Sequence, residues 1–418
     1  MATTGIHALL DMLAASGVRY LFGNPGTTEL PLTDALVEDR RLQYILALQE
    51  VPAVAIADGY AQASRSVGVV NLHICCGLGN AMGMIYNAYR EGAPMVLTAG
   101  QQDRRLAFEE PILWGQMVET VRPWTKWAAE VMRVEDIPSA VRRAVQAAMS
   151  PPTGPVFLSL PVDVQTAPAA GLNLTPPRMP DSHVRPPKEP LHRAAQILAA
   201  AKNPAILVGN RVQEADAVAE LVAVAEQLGA PVIHEATTSH GRCSFPSDHP
   251  LYAAPLPFWA PDVRDRLQPY DVLLVAGMKL LQQYIFHEPN RPIPEHARIV
   301  QIDDTAWELG KNYPVEVGLV GHPKTSLEEL AAELSTAMTG QQRQAIRIRS
   351  ERIQREHKQQ RTALRDSAKV QQQLRPITPL CAMESLARVL PPNAAVVEES
   401  PTTTMGSYFE RTAALKNT

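Results

Sequence analysis

Apolar residues along this chain fall into two arrangements: short continuous runs, and stretches that repeat every three or four positions. Residues 4–15 carry Ile6, Leu9, Leu10 and Leu13 on one face and predict an opening helix. Residues 18–22 form a run that reads as a strand, closed by the turn Gly23-Asn24-Pro25-Gly26. Thr27 or Thr28 is placed to cap a second helix reaching Val37. Residues 44–48 form a second run, of the kind a buried parallel strand shows, and lead into helical spacing at Val54, Ala57 and Ala61. Residues 67–72 predict a third strand that delivers His73, and 77–89 a helix entered through GLGNAMG. Residues 94–98 predict a fourth strand ending in Gly100-Gln101-Gln102, followed by a helix at 137–149 and a strand at 156–160.

Strands alternating with helices mean a parallel sheet covered on both faces. The pattern returns after a proline-rich stretch, with strands at 204–208, 231–233, 272–276 and 298–302 and a helix at 216–228 that stops at Gly229. The expected fold is α/β: two doubly wound parallel-sheet domains and the start of a third. The first spans 1–165, a linker 166–190, the second, Rossmann-like, 191–340. A charged helical linker covers 341–375, and a new unit begins at 376–418 with a helix at 378–390 and a strand at 394–397. No GxGxxG follows the first strand of the second domain, so a dinucleotide is not indicated.

Chemistry-bearing residues gather after strands. Asn24 to Thr27, Glu50, His73, and Gln101 with Gln102 all follow predicted strands of the first domain. A parallel sheet brings those ends to one edge, where open α/β sheets bind ligands. Glu50 has a plainer reading too, because an acid in a first helical turn is favoured by the helix dipole.

Composition narrows the classes. Apolar residues make up 45% of the 418, enough for sizeable cores. A net charge of −4 with mixed signs argues against nucleic acid and against a membrane surface. No run approaches a membrane span, and the amino terminus does not read as a signal peptide. The four cysteines, Cys75, Cys76, Cys243 and Cys381, form no CxxC, which fits a reducing cytoplasm. Cys75 and Cys76 read as small fillers, with a lowered thiol pKa at a helix start as the alternative.

Five strings carry a resemblance: LFGNPGTTELP (21–31), YILALQEVPAVAIADGYAQAS (44–64), NLHICCGLGNAMG (71–83), TAGQQDR (98–104) and GPVFLSLPVD (154–163). The first domain resembles the pyrimidine-binding domain of thiamine-diphosphate enzymes of the decarboxylase and acetolactate-synthase branch, nearest to benzoylformate decarboxylases. The likeness continues more weakly through the second domain and to VVEESPTTT at 396–404.

The resemblance implies thiamine diphosphate and Mg2+ as cofactors, a 2-oxo acid or aldehyde as substrate, and a homodimer or homotetramer with sites between subunits. It implies that Glu50 hydrogen-bonds the aminopyrimidine of the cofactor and that His73 relays protons beside the substrate. Thr27 stands where a serine faces the substrate carboxylate, and its methyl group narrows that pocket. Asn24, Pro25, Gly26 and Gly77 would shape the cofactor turn, and Ser400 and Thr402 would lie near the diphosphate. Tyr284 or His287 stands near a second pocket position. Gln101 and Gln102 would contact the reacting groups or buttress the neighbourhood of Glu50.

No GDG string, which in this family holds the metal, occurs in the chain. Metal ligands are therefore expected to be absent, and the chain reads as an incomplete form of a decarboxylase or carboligase. The alternatives are an acetolactate-synthase-like enzyme with a flavin in the second domain, and a non-catalytic scaffold or regulatory partner.

Overall fold

The structure, a computed structural model, describes residues 3–235, 244–282, 285–288, 291–391 and 393–397. The chain divides into two units, Met1–Ser182 and His183–Thr418. Each is built on its own six-stranded parallel sheet.

In the first unit, α1 (Gly5–Ala15) precedes β1 (Tyr20–Asn24), α2 (Leu30–Glu38), β2 (Gln43–Leu46) and α3 (Glu50–Ser64). Then follow β3 (Gly68–Leu72), α4 (Ile74–Glu91), β4 (Met95–Gln101), β5 (Trp127–Glu130) and β6 (Val156–Pro161). The strand order is β2-β1-β3-β4-β6-β5. Strands β3, β4 and β6 are buried along their whole length, because helices cover both faces; hence their unbroken apolar runs. On one face α1 buries Ile6, Leu9, Leu10 and Leu13 beside the helix Ile137–Met149. On the other, α3 lays Ala53, Ala57 and Ala61 against the sheet with α4 beside it. Small residues at that spacing let helix and strand approach closely.

Three expectations need correction here. The run at 44–48 is not a buried strand: β2 is an edge strand with Ile45 and Leu46 exposed, and Leu48 beyond it is 95% exposed. An apolar run alone does not tell a central strand from an edge that another surface could cover. The helix expected from Gly77 starts at Ile74, immediately after His73. Strand β5 lay unrecognised in WAAE, which carries neither alternation nor a β-branched residue.

The second unit carries β7 (Pro204–Val208), β8 (Val232–His234), β9 (Tyr252–Ala253), β10 (Val272–Ala276), β11 (Arg298–Asp303) and β12 (Val317–Val320). Their order, β12-β11-β10-β7-β8-β9, is the doubly wound dinucleotide-fold order with its switch point between β7 and β10. The helix Val218–Leu228 ends at Gly229, which takes the left-handed conformation expected of a helix stop.

The charged stretch forms one helix, Gly340–Gln371, opened by Thr339, whose hydroxyl accepts from the Gln342 N–H. Arg349 clamps it down, donating to the carbonyls of Gly229 (3.0 Å), Lys202 (2.8 Å) and Leu228. Ile353 is buried in the core, and Arg361 donates to the Ser247 carbonyl at 3.1 Å. The following helix, Pro379–Val389, folds back on it through Leu380 and through Cys381, whose thiol donates to the Ala368 carbonyl at 3.1 Å. Residues 394–397 form no strand, contrary to expectation. A strand needs a neighbour for its ladder, and none pairs with these residues among those described.

Candidate active site

Glu50 is the first residue of α3. Gln49 before it is extended, and its side-chain oxygen accepts from the Val51 N–H at 2.8 Å, capping the helix. The Glu50 side chain therefore leaves the carboxyl edge of the sheet with little freedom, only 6% exposed. Asn24, at the end of β1, donates to its Oε1 at 3.2 Å. Asn80, on α4, donates to its Oε2 at 3.1 Å. Gly77 lies between: a Cβ there would stand 2.9 Å from Oε1. Helix α4 can pass this close only because position 77 carries no side chain.

A second carboxylate lies on the same edge. Glu29, 1% exposed, accepts at Oε1 from the Thr28 hydroxyl (2.8 Å) and the Gly100 N–H (2.8 Å). Its Oε2 accepts from the Gly26 N–H (2.9 Å) and meets His73 Nδ1 at 2.8 Å. Backbone N–H groups can only donate, so Glu29 is the acceptor in this cluster and His73 Nδ1 carries the hydrogen. The tautomer is thereby set, with Nε2 as the nitrogen left for other partners. Gly26 makes room for the ring: a Cβ there would fall 2.2 Å from Nδ1. Immediately after His73, the buried Ile74 has φ +42°, a strained setting for a β-branched residue, at the corner where β3 turns into α4.

Beneath this edge a polar ladder crosses four strands. Tyr44 on β2 donates to Asn71 Oδ1 (3.3 Å), Asn71 Nδ2 donates to Thr98 Oγ1 (3.2 Å), and Thr98 donates to the Val70 carbonyl (3.1 Å). Burial first, and the charge of Glu29 second, push the Tyr44 phenol well above its ordinary pKa, so it remains a donor.

The structure brings Asn24 and Gly77 to Glu50, and Gly26 to His73. Pro25 lies in the turn after β1, half-buried, and Thr27 is exposed beside it in a short 3-10 turn, Thr27–Glu29. Neither threonine caps α2, whose N-cap is Glu29; the Glu29 carboxylate reaches back to the Gly26 N–H and closes the 3-10 turn before it. Gln101 and Gln102 turn toward the loop that follows them: their amides donate to the carbonyls of Gly115 (2.9 Å) and Ile112 (2.8 Å). His287 belongs to the second unit, its ring 6.3 Å from that of Trp259. Tyr284, Ser400 and Thr402 lie outside the described residues.

Two residues of the site escaped sequence reasoning, each despite a signal. Glu29 stands three positions after the turn glycine in GTTE, the spacing of a helix-start acid. Asn80 stands seven after His73 and three after Gly77, on the same face of α4.

Glu50 is suited to grip the aminopyrimidine half of thiamine diphosphate: a buried carboxylate, oriented by two amides, with a close-passing glycine beside it. No group of three or more His, Cys, Asp or Glu side chains able to hold a metal occurs among the described residues.

The chain belongs to the thiamine pyrophosphate (thiamine diphosphate) enzymes. The N-terminal TPP-binding domain of that family matches residues 3–113 and its central domain residues 191–330. Benzoylformate decarboxylase of Pseudomonas aeruginosa is 34% identical over 329 residues, 78% of this chain and 61% of the relative. A probable acetolactate synthase large subunit of Methanocaldococcus jannaschii is 32% identical over 340 residues, 79% of this chain and 56% of the relative. The chain thus spans about three fifths of the curated relatives it matches. Among solved structures, a putative thiamin diphosphate-dependent enzyme from Mycobacterium smegmatis superposes with a TM-score of 0.82 at 33% identity, over 98% of this chain and 74% of that one. The 4-hydroxybenzoylformate decarboxylase of Rhodococcus jostii gives 0.73 at 31% identity, over 79% and 62%.

Proposed function

We propose that this chain supplies the pyrimidine-binding half of the active site of a thiamine-diphosphate-dependent 2-oxo acid decarboxylase or carboligase. The observation that carries the reading is the Glu50 carboxylate, buried at the carboxyl edge and oriented by Asn24 and Asn80. When bound, the cofactor supplies the electron sink for cleaving or forming the bond next to a carbonyl. Glu50 hydrogen-bonds the aminopyrimidine and moves a proton at its ring nitrogen. Asn24 and Asn80 fix the direction of that hydrogen bond.

His73 carries the other proton chemistry. Glu29 holds its Nδ1–H, which aims Nε2 toward the proton it takes from, or returns to, the substrate. Thr27, exposed in the turn after β1, would meet the substrate carboxylate through its hydroxyl. Mg2+ and the diphosphate would be held by residues beyond those described, so no step is assigned to them.

Leu46 ends β2, Leu48 follows it, and Phe108 and Ile112 follow β4; they are between 64% and 99% exposed. Exposed apolar residues in such number ask for a covering surface. This supports a homodimer or homotetramer, in which a second subunit closes over the edge. No helix among the described residues is long and apolar enough to cross a membrane.

The test is carbon dioxide release, and aldehyde ligation, from a panel of aromatic and aliphatic 2-oxo acids by the full-length protein with thiamine diphosphate and Mg2+. Turnover of one class that collapses in Glu50→Gln supports the reading; a full-length protein inert toward the whole panel sinks it. A yellow protein would move the reading to the flavin-bearing acetolactate-synthase type.

A further inference from the structure

Strand β6 runs straight into a short helix, Val162–Thr166, at the carboxyl edge of the first sheet. One of its side chains, Gln165, is buried. A buried amide needs partners for its hydrogens, and here both are taken. Nε2 donates to the Leu160 carbonyl at 2.7 Å and to the Thr28 carbonyl at 3.0 Å, the latter 137 positions away in the chain. An uncharged NH2 group has two hydrogens on one atom and can bridge two carbonyls. In the reverse orientation the amide oxygen would face two other oxygens, so the assignment of the nitrogen is fixed by its neighbours.

Both carbonyls lead to Glu29. Leu160 is paired with Gly100 across β6 and β4. The Gly100 N–H donates to Glu29 Oε1 at 2.8 Å. Thr28 precedes Glu29 in the chain, and its hydroxyl donates to the same oxygen at 2.8 Å. The contacts close a ring that runs from Gln165 through Leu160, Gly100, Glu29 and Thr28 back to Gln165. Glu29 is thus held twice, by its carboxylate and through its backbone, and both holds end on the paired strands β4 and β6. The ring has no slack: a Cβ on Gly100 would stand 2.5 Å from Glu29 Oε1 and 2.6 Å from Thr28 Cβ.

The other oxygen of Glu29 meets His73 Nδ1 at 2.8 Å. That distance depends on where the turn Thr27–Glu29 lies over the sheet. A hydrogen bond weakens steeply as it lengthens or bends, so a turn that drifts outward loosens the imidazole. Asp163, on the same short helix, separately holds the Arg104 guanidinium at 2.9 and 2.6 Å. The short helix therefore keeps an anchor of its own when Gln165 is changed.

We infer that Gln165 is a positioning residue for His73. Acting through Thr28 and Glu29, its amide sets the place of the turn and so the bearing of the ring. The kinetic consequence rests on the proposed role of His73 in proton transfer; the geometric one does not.

Two variants of the full chain test this. Gln165→Met keeps the length and drops the NH2 group. Gln165→Asn keeps an amide one methylene short, and serves if circular dichroism shows Gln165→Met unfolded. Thr166→Val, which drops only a hydroxyl bonded to the Val162 carbonyl within the short helix, is the control. Histidine-selective 15N spectra, with His73 assigned by its absence in His73→Gln, read the ring without cofactor or substrate. The His73 Nδ1–H signal should move upfield and exchange faster with water in the Gln165 variants, and stay in place in Thr166→Val. In turnover the loss should fall on kcat, by about tenfold to 10²-fold, with KM within about twofold. Combined with Glu29→Gln it should add little, because both changes act through one contact. An unmoved His73 signal in a folded Gln165 variant overturns the positioning role, and so does a kcat loss that multiplies in full with that of Glu29→Gln. Should the full-length protein turn over no 2-oxo acid, the proposed reaction fails, and the spectrum alone still decides whether Gln165 sets the ring.

Discussion

At the carboxyl edge of the first sheet, Glu50 and Glu29 are held by side-chain amides, backbone N–H groups, a hydroxyl and an imidazole. At the same edge of the second sheet, Asp303 and Asp304 face the guanidinium of Arg211 at 3.8 and 3.5 Å. Both sheets are parallel, both cores are closed by helices, and both edges bury acid. The difference lies in the partner. Neutral donors orient a carboxylate without cancelling its charge, so its field remains available to a ligand. At the second edge the guanidinium opposes the charge only across a long gap: Arg211 Nε and Asp303 Oδ2 have no hydrogen-bond partner among the described residues, and burial outweighs the attraction. Where two parallel sheets in one chain could each hold a site, the partners of the buried acids distinguish the two edges.

The largest effect that would break this comparison comes from exchanging like for like on the two edges. Glu50→Gln in the full-length enzyme should lower kcat by about 10²–10⁴-fold. Asp303→Asn should leave kcat within about twofold, since it lies on the second edge. Equal losses from both would erase the distinction.

Glu29 sharpens it next. Glu29→Ala leaves the N–H groups of Gly26 and Gly100 buried without an acceptor, at about 1–3 kcal/mol each. Urea unfolding should show that loss in the first unit. The milder Glu29→Gln should retain the fold but lower kcat, because His73 Nδ1 loses the carboxylate that holds its ring in place.

The second edge carries its own signature in pH. Burial, only partly offset by Arg211, raises the Asp303 pKa to about 7 from 3.8. Between those values the folded chain keeps a proton that the unfolded chain has released, so this group makes stability fall as pH rises toward 7. Burial lowers His234, at the end of β8, to about 4 from 6.5, so its contribution runs the other way and is lost as pH falls toward 4. Denaturant unfolding of the chain across that window should show partial cancellation. Asp303→Asn should then leave a rising slope and His234→Gln a falling one.

The smallest test concerns the corner that presents His73. A glycine in a helix is ordinarily about 1 kcal/mol worse than alanine. At Ile74, with φ +42°, the order should invert, Ile74→Gly being more stable than Ile74→Ala by about 1 kcal/mol. Paired thermal melts would decide it.

Much of this was legible from residues. The period of the apolar positions located α1 and the helix Ile137–Met149 to within a residue, because each buries one face on a sheet. The clustering of Asn24, Glu50 and His73 followed from strand ends alone, since a parallel sheet has one carboxyl edge. What stayed hidden depended on neighbours in space. The exposure of β2 is a property of its place in the sheet, and the same apolar run would serve a central strand. Glu29 escaped notice, because only the fold brings Gly100 and His73 to it from more than forty residues away. Gln101 and Gln102 could have faced either way; the loop at 111–115 captures both amides.

The helix Gly340–Gln371 has a further consequence. Its 32 residues make a rod of about 48 Å at 1.5 Å per residue. Arg349, Ile353 and Arg361 fasten its earlier part to the second sheet's unit, while Leu364, Ala368 and the helix Pro379–Val389 ride on its later part. Rotation along such a rod is counted in residues, about 100° for each one. A single residue inserted between Arg361 and Leu364 would swing everything downstream a quarter-turn or more around the axis, whereas seven would nearly restore its heading. The helix therefore works as an angular setting, and the bearing of the segment after Gln371 is written in its length.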